Sequence, residues 1–286
     1  IEDSNYPRLL KHCADAPLVL FYKGSLEDSD TRNIAIVGTR KATEVGKKRV
    51  DTLLHELAGA GYHPNIISGL AYGIDITAHT ACVHYGLKAQ AVLGHGLHMV
   101  YPASHKNMAE KILEQGGALI SEFPTCAQIL PTNFLQRNRI LAGMSEAILV
   151  AESPVKGGAM STARQALSYN RDVMAIPGRP EDSTFSGCNL LIKQNIAALV
   201  ENVKDLLRIL NWPPLPTEPY QMSLDLFPVT NNEVLIMETL AKMGEQNIDQ
   251  LHQLTRIPVH DLSVLLLKLE LEGRVMQLPG NCYTLI

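Results

Sequence analysis

The chain has 286 residues, 46% of them hydrophobic and 19% charged, which is typical of a globular protein with one large and one small domain. No apolar run is long enough to span a bilayer, so we expect no membrane association. The net charge of −4 is uneven, with −3 on residues 230–286 and +1 on residues 1–210. We therefore expect any anion-binding surface to be a local cluster within the first 210 residues.

The five cysteines are scattered along the chain and form no CxxC pair. An odd set without metal-ligand spacing favours free thiols in a reducing compartment, so we expect a cytoplasmic protein. The chain begins at Ile1 and not at a methionine, so we expect it to be trimmed, and its first residues do not resemble a signal peptide.

Short apolar runs alternate with longer helical patterns from about residue 33 to residue 210. The candidate strands are residues 34–37, 65–68, 90–93, 118–121, 147–151 and 173–176, and helical patterns between them include 45–60, 74–85 and 159–169. This alternation predicts an α/β domain with a parallel sheet covered by helices on both faces. Right-handed crossovers would bring the carboxyl ends of the strands to one edge, where ligands of such sheets bind.

A different pattern begins after residue 210. Residues 211–229 contain five prolines, which is typical of a linker. Helical patterns follow at 232–242, 248–255 and 259–272, and then come two β-like runs at 274–278 and 283–286, joined by Pro279, Gly280 and Asn281. We therefore predict a Rossmann-like domain at 1–210 with an initial segment at 1–32, a linker at 211–229, and a winged-helix domain at 230–286.

The turn after the first sheet strand has the composition of a phosphate site. It contains Gly38, Thr39 and Arg40, and Thr43 is positioned to cap the following helix. Exposed amides and an arginine facing the same space suit a phosphate. A tight turn with a solvated arginine is equally compatible with this segment alone.

The turn after the second strand is built from small residues. Ser68 and Gly69 begin the stretch SGLAYGID, whose small side chains allow a ligand to approach the backbone. The stretch lacks the GxSxG pattern, so Ser68 is not expected to be a nucleophile. Asp75 falls in the first turn of the next helix, where we favour a structural role for its carboxylate.

A glycine pair opens the helix after the fifth candidate strand. Lys156 precedes Gly157 and Gly158, and Ser161 and Thr162 follow in the first helical turn. Uncapped amides, two hydroxyls and a lysine favour an oxyanion site. The spacing is not that of a Walker loop, and no GxGxxG follows the first strand, so we expect no nucleotide cofactor.

A helical segment contributes further candidates, Phe134, Arg137 and Arg139. Residues two apart on a helix face different ways, so we expect one arginine to reach the ligand. The other would pair internally with Glu122 or Glu152. Phe134 is compatible with stacking on a base and equally with burial in the core.

Three histidines lie in one stretch of loop, at His95, His98 and His105. No acidic or cysteine partner stands at ligand spacing from them, so we predict no metal site.

Taken together, these segments resemble the DNA processing protein A (DprA/Smf) family. The matching motifs, in chain order, are YPRLL, VGTR, SGLAYGID, VLGHGLHMVYP, ISEFP, NFLQRNRI, KGGAMSTA and IPG, and they span nearly the whole chain. The resemblance implies an extended Rossmann fold that binds single-stranded DNA and hands it to the RecA recombinase during natural transformation. It also implies a homodimer formed through the Rossmann domain.

The resemblance further implies which residues form the DNA-phosphate pocket. They would be Gly38, Thr39, Arg40, Ser68, Gly69, Lys156, Gly157, Gly158, Ser161 and Thr162, with added charge from Arg137 or Arg139. Two positions depart from the family pattern. His98 stands where the family usually has Asp, and residues 156–159 replace a Ser-Gly-Ser/Thr run while keeping glycine and adding a positive charge.

Two alternative functions remain open. The stretch GGAMSTARQA is similar to the PGGxGT–E loop of lysine decarboxylase-like phosphoribohydrolases, which cleave nucleoside monophosphates. Gln165 or Ala166 stands about where their catalytic glutamate would be. The other alternative is a protein-interaction scaffold. Because no nucleophile–base pair accompanies the glycine-rich turns, we predict that the chain is not an enzyme and has no catalytic residue.

Overall fold

The computed structural model describes residues 1–3, 5–26, 32–213, 231–272, 274–278 and 282–285. The chain divides into two compact units, Ile1–Leu215 and Pro216–Ile286. Within the described residues, no helix is both long and apolar enough to cross a membrane.

The larger unit alternates strands and helices as the sequence predicts. Its strands are β1 (Phe21–Gly24), β2 (Asn33–Gly38), β3 (Asn65–Ser68), β4 (Ala89–Leu93), β5 (Ala118–Ser121), β6 (Ala147–Glu152), β7 (Asp172–Ala175) and β8 (Ala198–Leu199). Its helices are α1 (Arg8–Lys11), α2 (Glu44–Gly59), α3 (Ile74–Tyr85), α4 (Lys106–Glu114), α5 (Pro131–Met144), α6 (Gly158–Ser168), α7 (Ser186–Lys193) and α8 (Val203–Ile209), with 3-10 turns at Ala103–His105 and Ser183–Phe185.

The strands form one sheet in the order β1-β5-β4-β3-β2-β6-β7-β8. All neighbouring pairs are parallel except β1 and β5, which are antiparallel. After β1 at one edge, the parallel part of the sheet therefore starts in the middle with β2, extends outwards to β5, and then crosses back to β6 on the other side of β2. This reversal between β2 and β6 opens a crevice at the carboxyl ends of the two strands.

Helices cover both faces of the sheet. On one face α2 packs against α3, and α3 packs against α4, while α5 packs against α6 and α1 on the other. Strands β3, β4, β5 and β6 are buried at every position. Two-sided burial explains why these strands are continuous apolar runs, and the predicted α/β class is confirmed.

The larger unit extends as far as Trp212, which the sequence places in the linker. The Trp212 ring is buried, stacks on Tyr62 at 5.9 Å, and lies 4.9 Å from the guanidinium carbon of Arg32. Arg32 and Tyr62 precede β2 and β3, so this cluster lies at the amino-terminal edge of the sheet, opposite the crevice. From residue 214 onward the predicted linker lies outside the described residues.

The smaller unit consists of α9 (Asn231–Met243), β9 (Gln246–Asn247), α10 (Ile248–Thr255), α11 (Val259–Leu271), β10 (Val275–Leu278) and β11 (Cys282–Leu285). The strands form an antiparallel sheet in the order β10-β11-β9. Its core is formed by residues Ile236, Leu240, Leu251, Ile257, Leu262, Leu266, Leu269 and Val275. The predicted winged helix is confirmed, although the predicted turn at residues 279–281 lies outside the described residues.

The exposed side of α11, the recognition helix of a winged helix, combines apolar residues with His260, Asp261 and Ser263. Val264 and Leu267 are exposed on it. Its one lysine, Lys268, is already engaged with Glu233 at 2.6 Å and with Glu272 at 3.8 Å. This surface therefore lacks the free cations with which such helices neutralise DNA phosphates.

Candidate nucleic-acid interface

A cleft of about 220 Å³ opens at the carboxyl ends of β2 and β6, where the strand order reverses. Its walls come from the turn after β2, the turn and first helical turn after β3, one side of α5, and the start of α6. The lining residues are Val37, Gly38, Thr39, Arg40, Ala71, Asp75, Pro131, Phe134, Leu135, Arg137, Asn138, Leu141, Gly157, Gly158, Ala159 and Thr162.

The turn after β2 is held tightly against its neighbours. A side chain at Gly38 would overlap Ile74 and come within 2.8 Å of the carbonyl oxygen of Glu152. The amide of Thr39 donates to that same carbonyl oxygen at 2.7 Å. This turn is therefore fixed to the end of β6, and the backbone that carries the Arg40 side chain is held in place.

The carboxylate of Glu152 stabilises the start of α2, a role that the sequence did not reveal. It is fully buried and accepts from the amide of Thr43 at 3.0 Å and from its hydroxyl at 3.2 Å. The Thr43 hydroxyl in turn accepts from the amide of Gly46 at 3.1 Å, which confirms the predicted helix cap. The Glu152 carboxylate therefore stabilises the start of α2, and among the described residues it forms no salt bridge with an arginine.

Arg40 is the exposed cation of the cleft. Its guanidinium carbon lies 5.4 Å from the centre of the Phe134 ring, a cation–π distance. Among the residues that the structure describes, no carboxylate forms a salt bridge with Arg40. Phe134 is half-buried and packs over Gly94, where an added side chain would come within 2.8 Å of the ring. One face of the ring thus supports Arg40 while the rest packs against the protein.

Arg137 and Asp75 form the buried floor of the cleft. Arg137 donates to the carbonyl oxygen of Val92, and its guanidinium fills the space that a side chain at Gly69 would need. Burial lowers the pKa of Arg137 to about 10, with the charge of Asp75 acting in the opposite direction. Burial raises the pKa of Asp75, and the charge of Arg137 opposes this shift. The amide of Ala71 donates to Asp75 at 3.4 Å, so its carboxylate also orders the start of α3.

Ser68, Gly69 and Arg139 do not line the cleft. Ser68 is fully buried, and its hydroxyl donates to the carbonyl oxygen of Ile36 at 2.6 Å, which ties β3 to β2. Gly69 lies behind the Arg137 guanidinium. Arg139 pairs with Glu122. Of the two arginines on α5, Arg137 therefore faces the cleft and Arg139 makes the internal pair.

The glycine pair after β6 forms the opposite wall. Gly157 and Gly158 line the cleft with Thr162, whereas Lys156 and Ser161 are exposed outside its lining. Helix α6 begins at Gly158 without a side-chain cap, so its first amides and its positive dipole end are directed at the cleft. A side chain at Gly158 would meet no atom within 4 Å, so the glycine leaves open space there.

Two of the three loop histidines form hydrogen bonds within the protein. His95 Nε2 accepts from the amide of Tyr101 at 3.1 Å, and His105 Nδ1 lies 2.8 Å from the carbonyl oxygen of Leu70. His98 is exposed. Within the described ranges, no three His, Cys, Asp or Glu side chains are grouped as metal ligands.

The fold and the cleft define a Rossmann-type α/β protein with a crevice at the point where the strand order reverses, and a winged-helix unit. The family model of DNA recombination-mediator protein A matches residues 1–211, and that of the DprA winged helix domain matches residues 233–281. The chain therefore belongs to the DNA processing protein A (DprA/Smf) family of recombination mediators.

Individual relatives agree with this assignment. Protein Smf of Escherichia coli is 36% identical over 282 residues, which cover 96% of this chain and 74% of that protein. DNA processing protein DprA of Streptococcus pneumoniae is 38% identical over 207 residues, 72% of each chain. The X-ray structure of DprA from Streptococcus pneumoniae superposes with a TM-score of 0.67 at 37% identity, covering 73% of this chain and 72% of that one.

A second solved structure comes from Helicobacter pylori. It superposes with a TM-score of 0.65 at 29% identity and covers 74% of this chain and 94% of that chain. That structure describes the single-stranded DNA binding mode of the Helicobacter pylori protein.

Proposed function

We propose that the cleft binds single-stranded DNA through its phosphates and that the chain acts as a non-catalytic mediator of recombination. The position of Arg40 is the main observation that supports the proposal. Arg40 is an exposed arginine without a salt-bridge partner among the described residues, and it lies in the same cleft as the uncapped start of α6. A phosphate between them would accept from the guanidinium fork and from helix amides.

The proposal extends to the partners of the protein. We infer that the bound strand is passed to the RecA recombinase, that the protein works in the cytoplasm, and that it forms a homodimer through the larger unit. The support is membership of the family of recombination mediators. Filament assembly by purified RecA on a strand coated with single-strand-binding protein tests the transfer, and it should become faster when this protein is added.

The chain is expected to bind single-stranded DNA more tightly than blunt duplex. Residues 1–210 carry a net charge of only +1, so the cleft offers a local cluster of donors and little excess positive charge for the two phosphate backbones of a duplex. A flexible strand fits such a groove, and bases stacked on aromatic rings add about 1–3 kcal/mol each. Fluorescence anisotropy with labelled oligonucleotides at two salt concentrations measures the difference. Equal or tighter binding of duplex at moderate salt would contradict the proposal.

Nucleoside monophosphates are expected to remain intact in the presence of the protein. Asp75 is the carboxylate among the lining residues, and it is committed to the amide of Ala71. At the position where a phosphoribohydrolase would need glutamate, Gln165 donates to Ser168 at 3.4 Å and Ala166 is buried. Release of the free base, followed by chromatography, is the measurement. Turnover that disappears in Gly158→Val would overturn the non-enzymatic function.

Removal of the winged-helix unit is expected to change the affinity for single-stranded DNA by no more than a few-fold. Residues 230–286 carry a net charge of −3, and Lys268 is paired. A chain that ends at residue 215 keeps Trp212 in the core, so it tests binding without exposing that core. A large loss of affinity in this truncated chain, folded by circular dichroism, would assign DNA binding to the smaller unit.

A further inference from the structure

Two tyrosine rings are exposed on the edge of the sheet that carries the cleft. Tyr72 follows β3 and is 51% exposed, and Tyr101 follows β4 and is 47% exposed. Neither residue is among those that line the cleft. Exposed tyrosine rings usually move freely, but the surroundings of these two hold them in place.

Tyr101 is held at its backbone and at its ring. Its amide donates to Nε2 of His95 at 3.1 Å, and His95 is buried with its Nδ1 3.0 Å from the carbonyl oxygen of Gly96. The ring centre lies 5.7 Å from that of Phe134, with the two planes tilted by 47°. The buried histidine thus fixes the backbone from which the Tyr101 ring projects.

Tyr72 is held through a second buried histidine. Its hydroxyl lies 3.2 Å from that of Ser104, and its ring packs edge-to-face on His105 at 4.8 Å. His105 is itself bonded to the carbonyl oxygen of Leu70 at 2.8 Å. Ser104 is three residues beyond Tyr101, so both tyrosines are tied to one short stretch of chain.

These contacts continue the row that begins at Arg40. The guanidinium of Arg40 lies on Phe134, Phe134 contacts Tyr101, and the chain from Tyr101 leads to Ser104 and Tyr72. A cation that binds phosphate is therefore followed along the sheet edge by fixed aromatic rings. Proteins that bind single strands without sequence preference combine these two features.

We propose that Tyr101 and Tyr72 form a stacking platform for bases of a single strand whose phosphates are bound in the cleft. The inference rests on the proposed function, and it adds a subsite beyond the lining of the cleft. Because the Tyr101 ring already contacts Phe134 and the Tyr72 ring already packs on His105, binding immobilises little additional side-chain freedom. Every base has a π-face, so the platform accepts all four bases.

The platform is tested with two strands of equal length, oligo(dT) and an abasic strand of tetrahydrofuran units. Wild type should bind oligo(dT) more tightly than the abasic strand. Tyr101→Leu and Tyr72→Leu keep apolar bulk but remove the aromatic face. Each should weaken binding of oligo(dT) by about 5-fold to 150-fold, leave binding of the abasic strand unchanged, and leave the salt dependence unchanged.

Two variants serve as controls. Tyr101→Phe keeps the ring and should bind oligo(dT) like wild type. Tyr22→Leu removes a ring that is also 47% exposed. Tyr22 lies on β1, the outermost strand of the sheet, and this variant should also bind like wild type.

The outcomes separate the platform from the cleft. Equal weakening of both strands by Tyr101→Leu and Tyr72→Leu overturns the platform, because the rings then act on the backbone or on folding. Unchanged binding of oligo(dT) also overturns it, because the rings then make no contribution to binding the bases. If Arg40→Ala still weakens both strands in these cases, the cleft stands without the platform. Absence of binding by wild type would overturn both proposals.

Discussion

Arg40→Ala is expected to weaken binding of single-stranded DNA by about 1.5–3 kcal/mol, roughly 10-fold to 150-fold in Kd. Arg40 is exposed, rests on the Phe134 ring, and starts from a turn bonded to the end of β6. The loss should be similar for all sequences, because phosphates carry no sequence information. The slope of log affinity against log salt should fall by roughly 0.7, the share of one phosphate contact on a single strand. Anisotropy titrations at several salt concentrations measure both quantities.

Two further substitutions control for charge and for geometry. Arg208→Ala removes an arginine from α8 that is 77% exposed and lies outside the cleft lining, so it should change neither the affinity nor the slope. Arg40→Lys should restore only part of the affinity, because an ammonium group cannot reproduce the bidentate fork. If folded Arg40→Ala keeps the wild-type affinity and slope, Arg40 does not belong to the site.

Arg137→Met is expected to lower the free energy of unfolding by about 1–3 kcal/mol, the usual cost of leaving a buried polar group without its hydrogen-bond partner. The substitution deletes the donor to the Val92 carbonyl oxygen and leaves the Asp75 carboxylate buried without its neighbouring cation. Methionine keeps most of the volume, so the loss reflects charge and hydrogen bonding more than a cavity. Denaturant unfolding followed by circular dichroism is the measurement.

A double-mutant cycle identifies the cause of this loss. If the buried Asp75 carboxylate causes most of the loss of stability, Asp75→Asn in the Arg137→Met background should recover part of that stability. The same Asp75→Asn change in wild type should be destabilising, because Arg137 then loses its nearby anion. Strictly additive effects would show that Arg137 and Asp75 do not interact across the floor of the cleft.

The central parallel strands could be predicted from the sequence, whereas the edge of the sheet could not. Buried runs such as β3 and β6 are apolar on both faces, and each lies within one residue of its predicted bounds. Strand β1 is exposed along its whole length and pairs antiparallel with the distant β5. Four exposed residues show no burial pattern, and their pairing depends on contacts nearly a hundred residues away.

The site could be predicted at the level of segments but not of individual side-chain directions. The turns at Gly38 and Gly157 come together because both follow strands that flank the switch point. Which arginine of α5 faces the cleft depends on the rotation of the helix about its axis, which the sequence left open. The cap that Glu152 gives to α2 has no local signal, because its partner, Thr43, is 109 residues away.

Trp212 is an intrinsic fluorescent probe for the folding of the larger unit. The chain contains one tryptophan, and its ring is packed with Arg32 and Tyr62 at the edge of the sheet farthest from the cleft. Intrinsic fluorescence excited at the indole band therefore follows the unfolding of the Rossmann-type unit alone, and the winged helix is silent. Because the proposed DNA site lies at the opposite edge of the sheet from the indole, the emission should respond to denaturant and stay constant during a DNA titration. The stability of Arg137 variants is thus measurable with and without DNA in the same cuvette.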